Sequence, residues 1–482
     1  MQPLLQRALD TAASLGASFA DARLVRRREE TVTIRSGRID GLTISDREGI
    51  GVRVLVDGAW GFAATDRLAP AEIDRVAALA VRIARASARV QPFPVRLDDR
   101  PPARGRWETP CTVDPFTVPL EERIADLAAA DEAMRGVPGV AFTESLSTAR
   151  REWKEYAATD GSATSQVLTH TGAAIEANAV AEDEHQRRSW PDAGGGYRSA
   201  GYEYVRGLDL LGNAERVGTE AVELLQAPPL PAGRRTIVLD PAQLALQVHE
   251  SCGHPTELDR VYGTEASFAG TSFLTTDRLE QGFRYGSEIV TLVADATEAG
   301  GAGSFGWDDE GVAAQRVELV RNGILVGYQT SRETAPRIGR GSSGGMRADG
   351  HDRLPLIRMT NINLQPVPGR SLEEIIAETD DGIYFATNRS WSIDDRRLSF
   401  QFATEIAREI RGGKLGRLYR NPTYAGHTPS FWASCDAIGD ARSYVMNGLA
   451  NCGKGEPVQS MIVGHGASGA RFRNVDVGVG RS

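Results

Sequence analysis

Histidine is scarce in this 482-residue chain, and two of its seven histidines flank an acidic residue in the string HESCGHPTELD. His249 and Glu250 are adjacent, and three residues separate Glu250 from His254, which gives the pattern HExxxH. Two imidazoles beside a carboxylate are typical of zinc hydrolases with the motif HExxH, in which the carboxylate is the general base. The string therefore indicates a metal centre with hydrolytic chemistry, although it has one extra residue.

The extra residue changes how the two histidines lie on a helix. Positions four apart lie about 40° apart around the helix axis, whereas positions five apart lie about 140° apart. His249 and His254 can therefore share one metal ion only if the helix bulges or unwinds between them. Gly253 and Pro255 favour such a break, because glycine is a weak helix former and the residue before a proline avoids helical angles.

The helix that must carry these histidines is predicted to begin at Asp240. Aspartate followed by Pro241 is a typical helix start, and the apolar Leu244 and Val248 then lie on one face. If a metal binds, two imidazoles favour Zn²⁺, and Glu250 beside the first ligand would be the general base. The alternative is two unrelated histidines, one in the core and one in solvent.

A catalytic zinc site needs a third protein ligand and one open coordination position. Spacing alone leaves several residues open for this role, namely Glu257, Asp259, His351, His427, Cys435 and Cys452. Cys452 lies in the string GLANCGKGEP, where glycines permit a close backbone approach and Lys454 could lower the pKa of the thiol. Cys252, between the two histidines, is expected to pack in the core and face away from the metal.

The composition excludes several classes of protein. The chain is 41% hydrophobic and 25% charged, which is ordinary for a globular protein, and it has no apolar run of about 18 residues. A net charge of -9 argues against a nucleic-acid partner. The four cysteines show no CxxC spacing, and the first twenty residues lack the features of a secretory signal. We therefore expect a cytoplasmic protein with no membrane and no nucleic-acid partner.

Two proline-rich stretches, residues 91–110 and the string QAPPLPAGRRT, divide the chain into predicted domains. We predict an N-terminal α+β domain over residues 1–95, a middle α+β domain over 108–226 and a C-terminal domain over 228–482. The predicted fold class is α+β. N-terminal α/β segments with an antiparallel sheet precede a larger, mainly antiparallel β domain that carries the zinc-site helix.

The string HESCGHPTELD with the later NCGKG resembles the TldD/PmbA family of metallopeptidases. The strings GIGVRVLVDGAWGFAATD and DDEGVAAQRVELVRNGILVGY resemble other parts of that family, so the resemblance covers most of the chain. It implies that His249, His254 and Cys452 are zinc ligands and that Glu250 is the catalytic base, as in the metal-binding TldD-type subunit. After the second histidine this chain has Pro-Thr-Glu where the family commonly has Gly-Leu-Glu, which affects the substrate-contacting environment.

The resemblance implies a zinc metallopeptidase that hydrolyses short or unfolded peptides inside a dimer cavity. Such members form homodimers, or heterodimers with a related metal-free PmbA/TldE-like subunit. The alternative is a non-catalytic peptide-binding or regulatory subunit with a structural zinc. A nucleic-acid-associated modulator is a third possibility, and the net charge of -9 disfavours it. The group that stabilises the oxyanion stays open among His351, His427, His465 and Arg358.

Overall fold

The computed structural model describes residues 2–479, and there the first half of the chain forms one eight-stranded sheet. Its strands are β1 (Phe19–Arg35), β2 (Arg38–Val56), β3 (Ala59–Thr65), β4 (Arg104–Glu108), β5 (Val140–Ala158), β6 (Ala163–Ala181), β7 (Glu184–Trp190) and β8 (Gly196–Arg198). They lie in the order β3-β2-β1-β5-β6-β4, and β7 and β8 also pair with β6. The sheet continues from the predicted N-terminal domain into the predicted middle domain, because β1 pairs antiparallel with β5.

Helices cover this sheet in two groups. They are α1 (Gln2–Ser14), α2 (Pro70–Ser87), α3 (Leu120–Arg135), α4 (Tyr202–Gly207) and α5 (Leu210–Gln226). Helices α1 and α2 share a core with β1, β2 and β3, whereas α3 and α5 share another with the β1 and β6 residues Val32 and Ile175. In α2 the buried Ile73, Val76 and Ala80 recur at helical spacing, so this helix presents one apolar stripe to the sheet.

The second half of the described chain is built around a closed ring of strands. Its strands are β9 (Gly233–Leu239), β10 (Leu292–Asp295), β11 (Arg316–Arg321), β12 (Ile324–Leu325), β13 (Met346–Arg347), β14 (Leu356–Ile357), β15 (Ile362–Leu364), β16 (Asp381–Ile393), β17 (Ser399–Arg411), β18 (Lys414–Tyr419), β19 (Pro422–His427), β20 (Cys435–Ile438), β21 (Val445–Lys454), β22 (Gln459–Ala467) and β23 (Ala470–Val479). Strands β16, β9, β23, β19 and β17 close into the ring, because β16 pairs with both β9 and β17. Strands β12-β11-β10-β15 form a separate sheet, and β21 and β22 form a hairpin. The predicted α+β class, with a mainly antiparallel C-terminal part, is confirmed.

The helices of this half are short, namely α6 (Pro241–Val248), α7 (Leu258–Val261), α8 (Thr276–Glu280), α9 (Leu372–Ala377) and α10 (Thr428–Ala433). Helix α6 follows β9 directly, and its Leu244 and Val248 are fully buried in the core that contains Phe385, Phe402 and Phe472. This packing fixes the position of the residues that follow α6. No helix within residues 2–479 has both the length and the apolar composition of a bilayer-spanning segment.

The proline-rich stretch of residues 91–110, predicted to separate two domains, takes part in the fold. Its Arg104–Glu108 segment is strand β4, which pairs in parallel with β6. The carboxylate of Asp98 accepts a hydrogen bond from Arg332 Nε at 3.1 Å. This segment therefore connects the first sheet to the second half of the chain, and the domain boundaries beside it stay a prediction.

Buried ion pairs join the two halves of the chain. Arg53 of β2 lies 2.6 Å from Asp21 of β1 and 3.0 Å from Glu310 of the second half, and these side chains are 4%, 1% and 1% exposed. The Arg53 guanidinium also lies 4.2 Å from the centroid of the Trp60 ring. Because a buried charge is costly without its partner, Arg53 is needed as the common ion-pair partner of both carboxylates at this contact.

We expect Arg53→Met to lower the free energy of unfolding by about 3–5 kcal/mol, because it removes the shared ion-pair partner of two buried carboxylates. Urea-induced unfolding measures this change. The matched control is Arg411→Met, since Arg411 is 68% exposed although it also pairs with carboxylates. We expect the control to change stability by less than about 0.5 kcal/mol. Equal effects of the two substitutions would contradict the proposed importance of the buried contact.

Candidate metal centre

The two histidines of the motif lie at the end of α6, where the helix widens. The helix begins as predicted, because the carboxylate of Asp240 accepts a hydrogen bond from the Gln243 N–H at 2.7 Å. Residues His249–Gly253 form a π-helical turn, and His254–Thr256 form a short 3₁₀ turn after it. The predicted distortion of the helix between the histidines is confirmed.

The π-helical turn explains how histidines five positions apart lie together. The His254 N–H donates to the His249 carbonyl, so the hydrogen bond joins residues five apart instead of four. The two imidazole centroids are 4.8 Å apart, and the rings are nearly perpendicular at 88°. A side chain at Gly253 would overlap the sulfur of Met359. Glycine is therefore needed here for close packing as well as for a flexible helix end.

Cys452 reaches the histidines from strand β21. Its Sγ lies 3.8 Å from Nε2 of His254. One donor atom from each of His249, His254 and Cys452 lies within 4.8 Å of the others, and each residue is 4% exposed. The structure thus brings together the two histidines of the motif and the cysteine that the resemblance implied. We call these three residues the metal cluster.

On the side of each histidine that points away from the metal cluster, a hydrogen bond uses the Nδ1 proton. The Nε2 atoms of His249 and His254 are therefore left without a proton. The Ile362 carbonyl, 3.3 Å from His465 Nδ1, can only accept, so that nitrogen donates. His465 Nε2 then accepts from His249 Nδ1 at 2.8 Å, which leaves a free lone pair on His249 Nε2. Similarly, His254 Nδ1 donates to Glu257 Oε2 at 3.0 Å and leaves the lone pair of Nε2 free. Partners of this kind fix the tautomer and orientation of metal-binding histidines.

The electrostatic surroundings favour the metal-binding form of each side chain. Burial lowers the pKa of both His249 and His254, so the neutral imidazoles are favoured. Burial opposes ionisation of Cys452, but the Arg358 guanidinium and His254 outweigh it, so the pKa of this thiol lies below its ordinary value. Two neutral imidazoles and one thiolate are a donor set that fits a transition-metal ion.

A buried charged network supports the second histidine. Glu257 Oε2, which accepts from His254, lies 3.3 Å from Lys454 Nζ and 3.7 Å from Arg260 Nε. Lys454 is fully buried and also lies 2.8 Å from Asp259 Oδ1. Glu257 and Asp259, which spacing left open as ligands, therefore contact His254 and Lys454 and lie outside the metal cluster.

Other residues that the sequence left open also lie outside the metal cluster. His351 packs against the backbone of Gly49 in the first sheet, and His427 Nδ1 lies 2.9 Å from a serine hydroxyl of β17. Cys435 and Cys252 are both buried in the large hydrophobic core, as predicted for Cys252.

Two of the residues considered for oxyanion stabilisation instead support the metal cluster. His465 lies behind His249, as described above. Arg358 is fully buried and donates to the backbone carbonyl of Cys452 and, at 3.0 Å, to that of Gln459. Arg358 therefore fixes the position of the β21–β22 hairpin that carries the cysteine.

Glu250 lies beside the metal cluster and is paired with an arginine that sequence reasoning missed. Arg397 Nη1 donates to Glu250 Oε2 at 2.5 Å, and the side chains are 14% and 5% exposed. Arg397 lies in the turn between β16 and β17 and has a positive φ of 63°. The two residues are 147 positions apart, and no local pattern in the sequence connects them.

The metal cluster opens onto a cavity of about 430 Å³. His249, Glu250, His254 and Cys452 all line this cavity. Other lining residues come from β16, from β21 and from residues 192–194 in the first half of the chain. The three possible ligands therefore face a space that can admit a further ligand or a substrate.

Comparison with known families gives matches along nearly the whole chain. The model for PmbA/TldA metallopeptidase domain 1 matches residues 20–84, and the model for the central domain matches residues 113–227. The model for the PmbA/TldA metallopeptidase C-terminal domain matches residues 232–478, which include the entire metal cluster.

Curated relatives carry the name metalloprotease. A metalloprotease of Methanothermobacter thermautotrophicus is 29% identical over 460 residues, which are 95% of this chain and 95% of that protein. A protein of Saccharolobus solfataricus named zinc metalloprotease TldD homolog is 26% identical over 204 residues, which are 41% of this chain and 42% of that protein. The first of these similarities extends over nearly the full length of both proteins.

Solved structures share the fold of this chain. A Thermotoga maritima protein described as a candidate modulator of DNA gyrase has a TM-score of 0.78 and 18% identity, and 99% of each chain is covered. TldE from Thermococcus kodakarensis has a TM-score of 0.74 and 15% identity, and 98% of this chain and 100% of that chain are covered. At these identities the similarity shows the fold alone.

The metal cluster predicts which substitutions remove bound metal. We expect His249→Ala, His254→Ala and Cys452→Ala each to reduce metal content from about one ion per chain to near zero, because two remaining ligands bind weakly. Elemental analysis after reconstitution measures this. Cys252→Ala and Cys435→Ala are the matched controls, since both thiols are buried in the core. Equal metal loss in all five variants would indicate a folding effect and contradict the assignment.

The hydrogen bond behind His249 predicts a role for His465. We expect His465→Phe to weaken metal binding by about 10- to 100-fold, because the Nδ1–H of His249 loses its buried acceptor. His465→Gln should restore much of the affinity, since an amide oxygen can accept the same hydrogen bond. Competition with a chelator measures the affinity, and His427→Phe is the control. Unchanged affinity in folded His465→Phe would contradict this role.

Proposed function

Because this chain belongs to the PmbA/TldD metallopeptidase family, we propose that it is a zinc-dependent peptidase that hydrolyses short or unfolded peptides. The observation that carries the proposal is the convergence of three buried ligand atoms beside Glu250 at the wall of a cavity. The names of the curated relatives support the same reaction class.

His249, His254 and Cys452 are the residues that would hold Zn²⁺. Two imidazole nitrogens with free lone pairs and one thiolate fit the donor preference of this ion, and a relative is named a zinc metalloprotease. Bound zinc would supply Lewis-acid polarisation of the peptide carbonyl and increased acidity of a water molecule. Burial keeps the two imidazoles neutral, Arg358 favours the thiolate of Cys452, and His465 and Glu257 orient the imidazoles through their hydrogen bonds.

Glu250 is proposed as the general base. Its carboxylate takes a proton from the attacking water and transfers that proton to the leaving amine. Arg397 keeps this carboxylate oriented through the 2.5 Å hydrogen bond between them. Arg397 also lines the cavity, so its guanidinium is available to stabilise the negative charge that develops on the carbonyl oxygen.

The dimensions of the cavity support short or unfolded peptides as substrates. Its volume of about 430 Å³ lies within the usual range of ligand pockets, which is about 300–1,000 Å³. An extended segment of a few residues can enter such a space, whereas a folded domain cannot. The metal cluster is itself mostly buried, so a peptide bond must be brought to it in an extended chain.

We propose a dimer as the working assembly, in the cytoplasm. The partner is either an identical chain or a related metal-free PmbA/TldE-like subunit. The similarity in fold to TldE supports a partner from this family. The dimer would enclose the cavity and restrict access further. The net charge of -9 supports a peptide substrate over a nucleic acid.

The proposed mechanism predicts the result of replacing the base. We expect Glu250→Gln to lower kcat for peptide hydrolysis by at least about 100-fold, because general acid–base catalysis contributes about 10²–10⁴. Metal content should not change, since Glu250 is not in the metal cluster. Glu378→Gln is the matched control, because this glutamate is 49% exposed and paired with an arginine. Cleavage by Glu250→Gln at the wild-type rate would contradict the role of Glu250 as general base, whereas absence of cleavage by the wild-type protein would favour the non-catalytic subunit with a structural zinc.

A further inference from the structure

Arginines predominate among the charged side chains that line the cavity. Arg187, Arg389 and Arg397 line it, together with the carboxyl groups of Glu250 and Asp192. Arg397 and Glu250 neutralise each other through their ion pair. Arg187 pairs with Glu176 and Glu405, which do not line the cavity, so Arg389 and Asp192 are the charged lining side chains without an ion-pair partner among the described residues.

Arg389 is the member of this group without a carboxylate partner. Its Nη1 donates to Gln186 Oε1 at 3.2 Å and to Asn421 Oδ1 at 2.9 Å. Its Nη2 donates to the His185 carbonyl at 3.1 Å. All three acceptors are neutral. Within residues 2–479, no carboxylate oxygen lies within 4.0 Å of a guanidinium nitrogen of Arg389. Burial, together with the neighbouring Arg187, lowers the pKa of Arg389 and outweighs the opposite effect of the more distant carboxylates of Glu405, Glu184 and Glu176.

Part of the Arg389 guanidinium is free to bind a ligand. A guanidinium has five N–H groups, and the hydrogen bonds described above use three of them. The Nε hydrogen and one Nη2 hydrogen therefore have no protein acceptor among the described residues. We call these two hydrogens the free edge of Arg389. Two unused N–H donors on neighbouring nitrogens of one guanidinium can both donate to a carboxylate.

The backbone around Arg389 directs its side chain. In the β16–β17 pair, Asn388 lies opposite Thr404 and Ser390 lies opposite Ala403, so Arg389 is the extra residue of a β-bulge. Bulges interrupt the alternation of a strand and redirect a side chain, and they are frequent beside active sites. Arg187 Nη2 also donates to the Arg389 carbonyl at 3.1 Å, which holds the bulge in place.

An exposed aromatic side chain lies on the same strand. Trp391 also lines the cavity and is 50% exposed, which is unusual for a side chain of this size. Indole rings provide large apolar contact area for a bound peptide. The cavity thus offers an apolar contact and a cationic group with an unused hydrogen-bonding edge, two residues apart on β16.

We propose that this cavity selects peptides that carry a carboxylate near the scissile bond, bound by the free edge of Arg389 beside Trp391. The carboxylate is supplied either by an acidic side chain or by the C-terminus of the peptide. This inference rests on the proposed function, because it names the substrate class of the same cavity.

A matched peptide series tests this selection. The parent is a neutral peptide with a glutamine and an amidated C-terminus; one derivative has glutamate at that position, and another has a free C-terminal carboxylate. Calorimetric titration of the metal-free wild-type protein measures binding without cleavage and keeps the ion pair between Arg397 and Glu250. We expect at least one derivative to bind about 10- to 100-fold more tightly than the parent, the gain typical of charge-assisted hydrogen bonds. The preferred derivative identifies the source of the carboxylate, and equal affinity of all three peptides would overturn the proposal.

Substitutions in the same metal-free protein assign the preference to Arg389. Arg389→Gln should reduce the ratio of affinities for acidic and neutral peptides to about one, whereas Arg389→Lys, which keeps the charge but loses the paired edge, should leave a smaller ratio than the parent protein. Arg420→Gln is the control, since Arg420 also donates to a backbone carbonyl and does not line the cavity. A full preference in folded Arg389→Gln or Arg389→Lys would overturn the assignment.

Cleavage by the wild-type protein separates this proposal from the proposed function. If the wild-type protein cleaves the neutral parent but all peptides bind equally, the peptidase assignment stands and the Arg389 selection is wrong. If acidic peptides bind preferentially but no peptide is cleaved, the Arg389 selection stands and the peptidase assignment is wrong.

Discussion

The hydrogen bond from the His254 N–H to the His249 carbonyl is the contact on which the site depends. It converts the end of α6 into a π-helical turn, and only in such a turn do residues five apart lie on the same face. A regular helix would direct one imidazole about 140° away from the other. The hydrophobic core holds α6 on one side, and Gly253 permits close contact with Met359 on the other. The fold thus supplies the packing that keeps this less common turn in place.

Buried charge is the second constraint, and the protein satisfies it by pairing. Behind the metal cluster, Glu257 is placed among His254, Lys454 and Arg260, so no charge in this group is isolated. Between the two halves of the chain, Arg53 forms ion pairs with both Asp21 and Glu310. Such networks fix orientation more than they add stability, because desolvation offsets much of the attraction. Arg389 differs from this pattern, and its unpaired cation faces the cavity instead of the interior.

Local patterns in the sequence predicted the local features of the site. The capped start at Asp240, the break near Gly253 and Pro255 and the core position of Cys252 all follow from backbone preferences and apolar periodicity. The α+β class was also predictable, since the alternation of strands and the periodicity of helices can be recognised in short stretches of sequence. The third member of the metal cluster could not be predicted from spacing, which left six residues open. Only the family resemblance pointed to Cys452.

Contacts between distant segments could not be predicted from the sequence. Arg397 reaches Glu250 from a turn 147 positions away, and His465 reaches His249 from a strand 216 positions away. These contacts depend on how β16, β17 and β22 are arranged around α6, and no short-range pattern encodes that arrangement. The continuity of the first sheet across residues 91–110 has the same origin, because it depends on the pairing of β1 with β5 and of β4 with β6.

X-ray absorption spectroscopy at the zinc edge of the reconstituted protein reports directly on the ligands of the metal. We expect two imidazole nitrogens at about 2.0–2.1 Å, one sulfur at about 2.3 Å and one light atom that is not an imidazole. This result would mean an open site with three protein ligands, as hydrolysis requires. A third imidazole, a second sulfur or the absence of sulfur would rule out His249, His254 and Cys452 as the protein ligands of an open site.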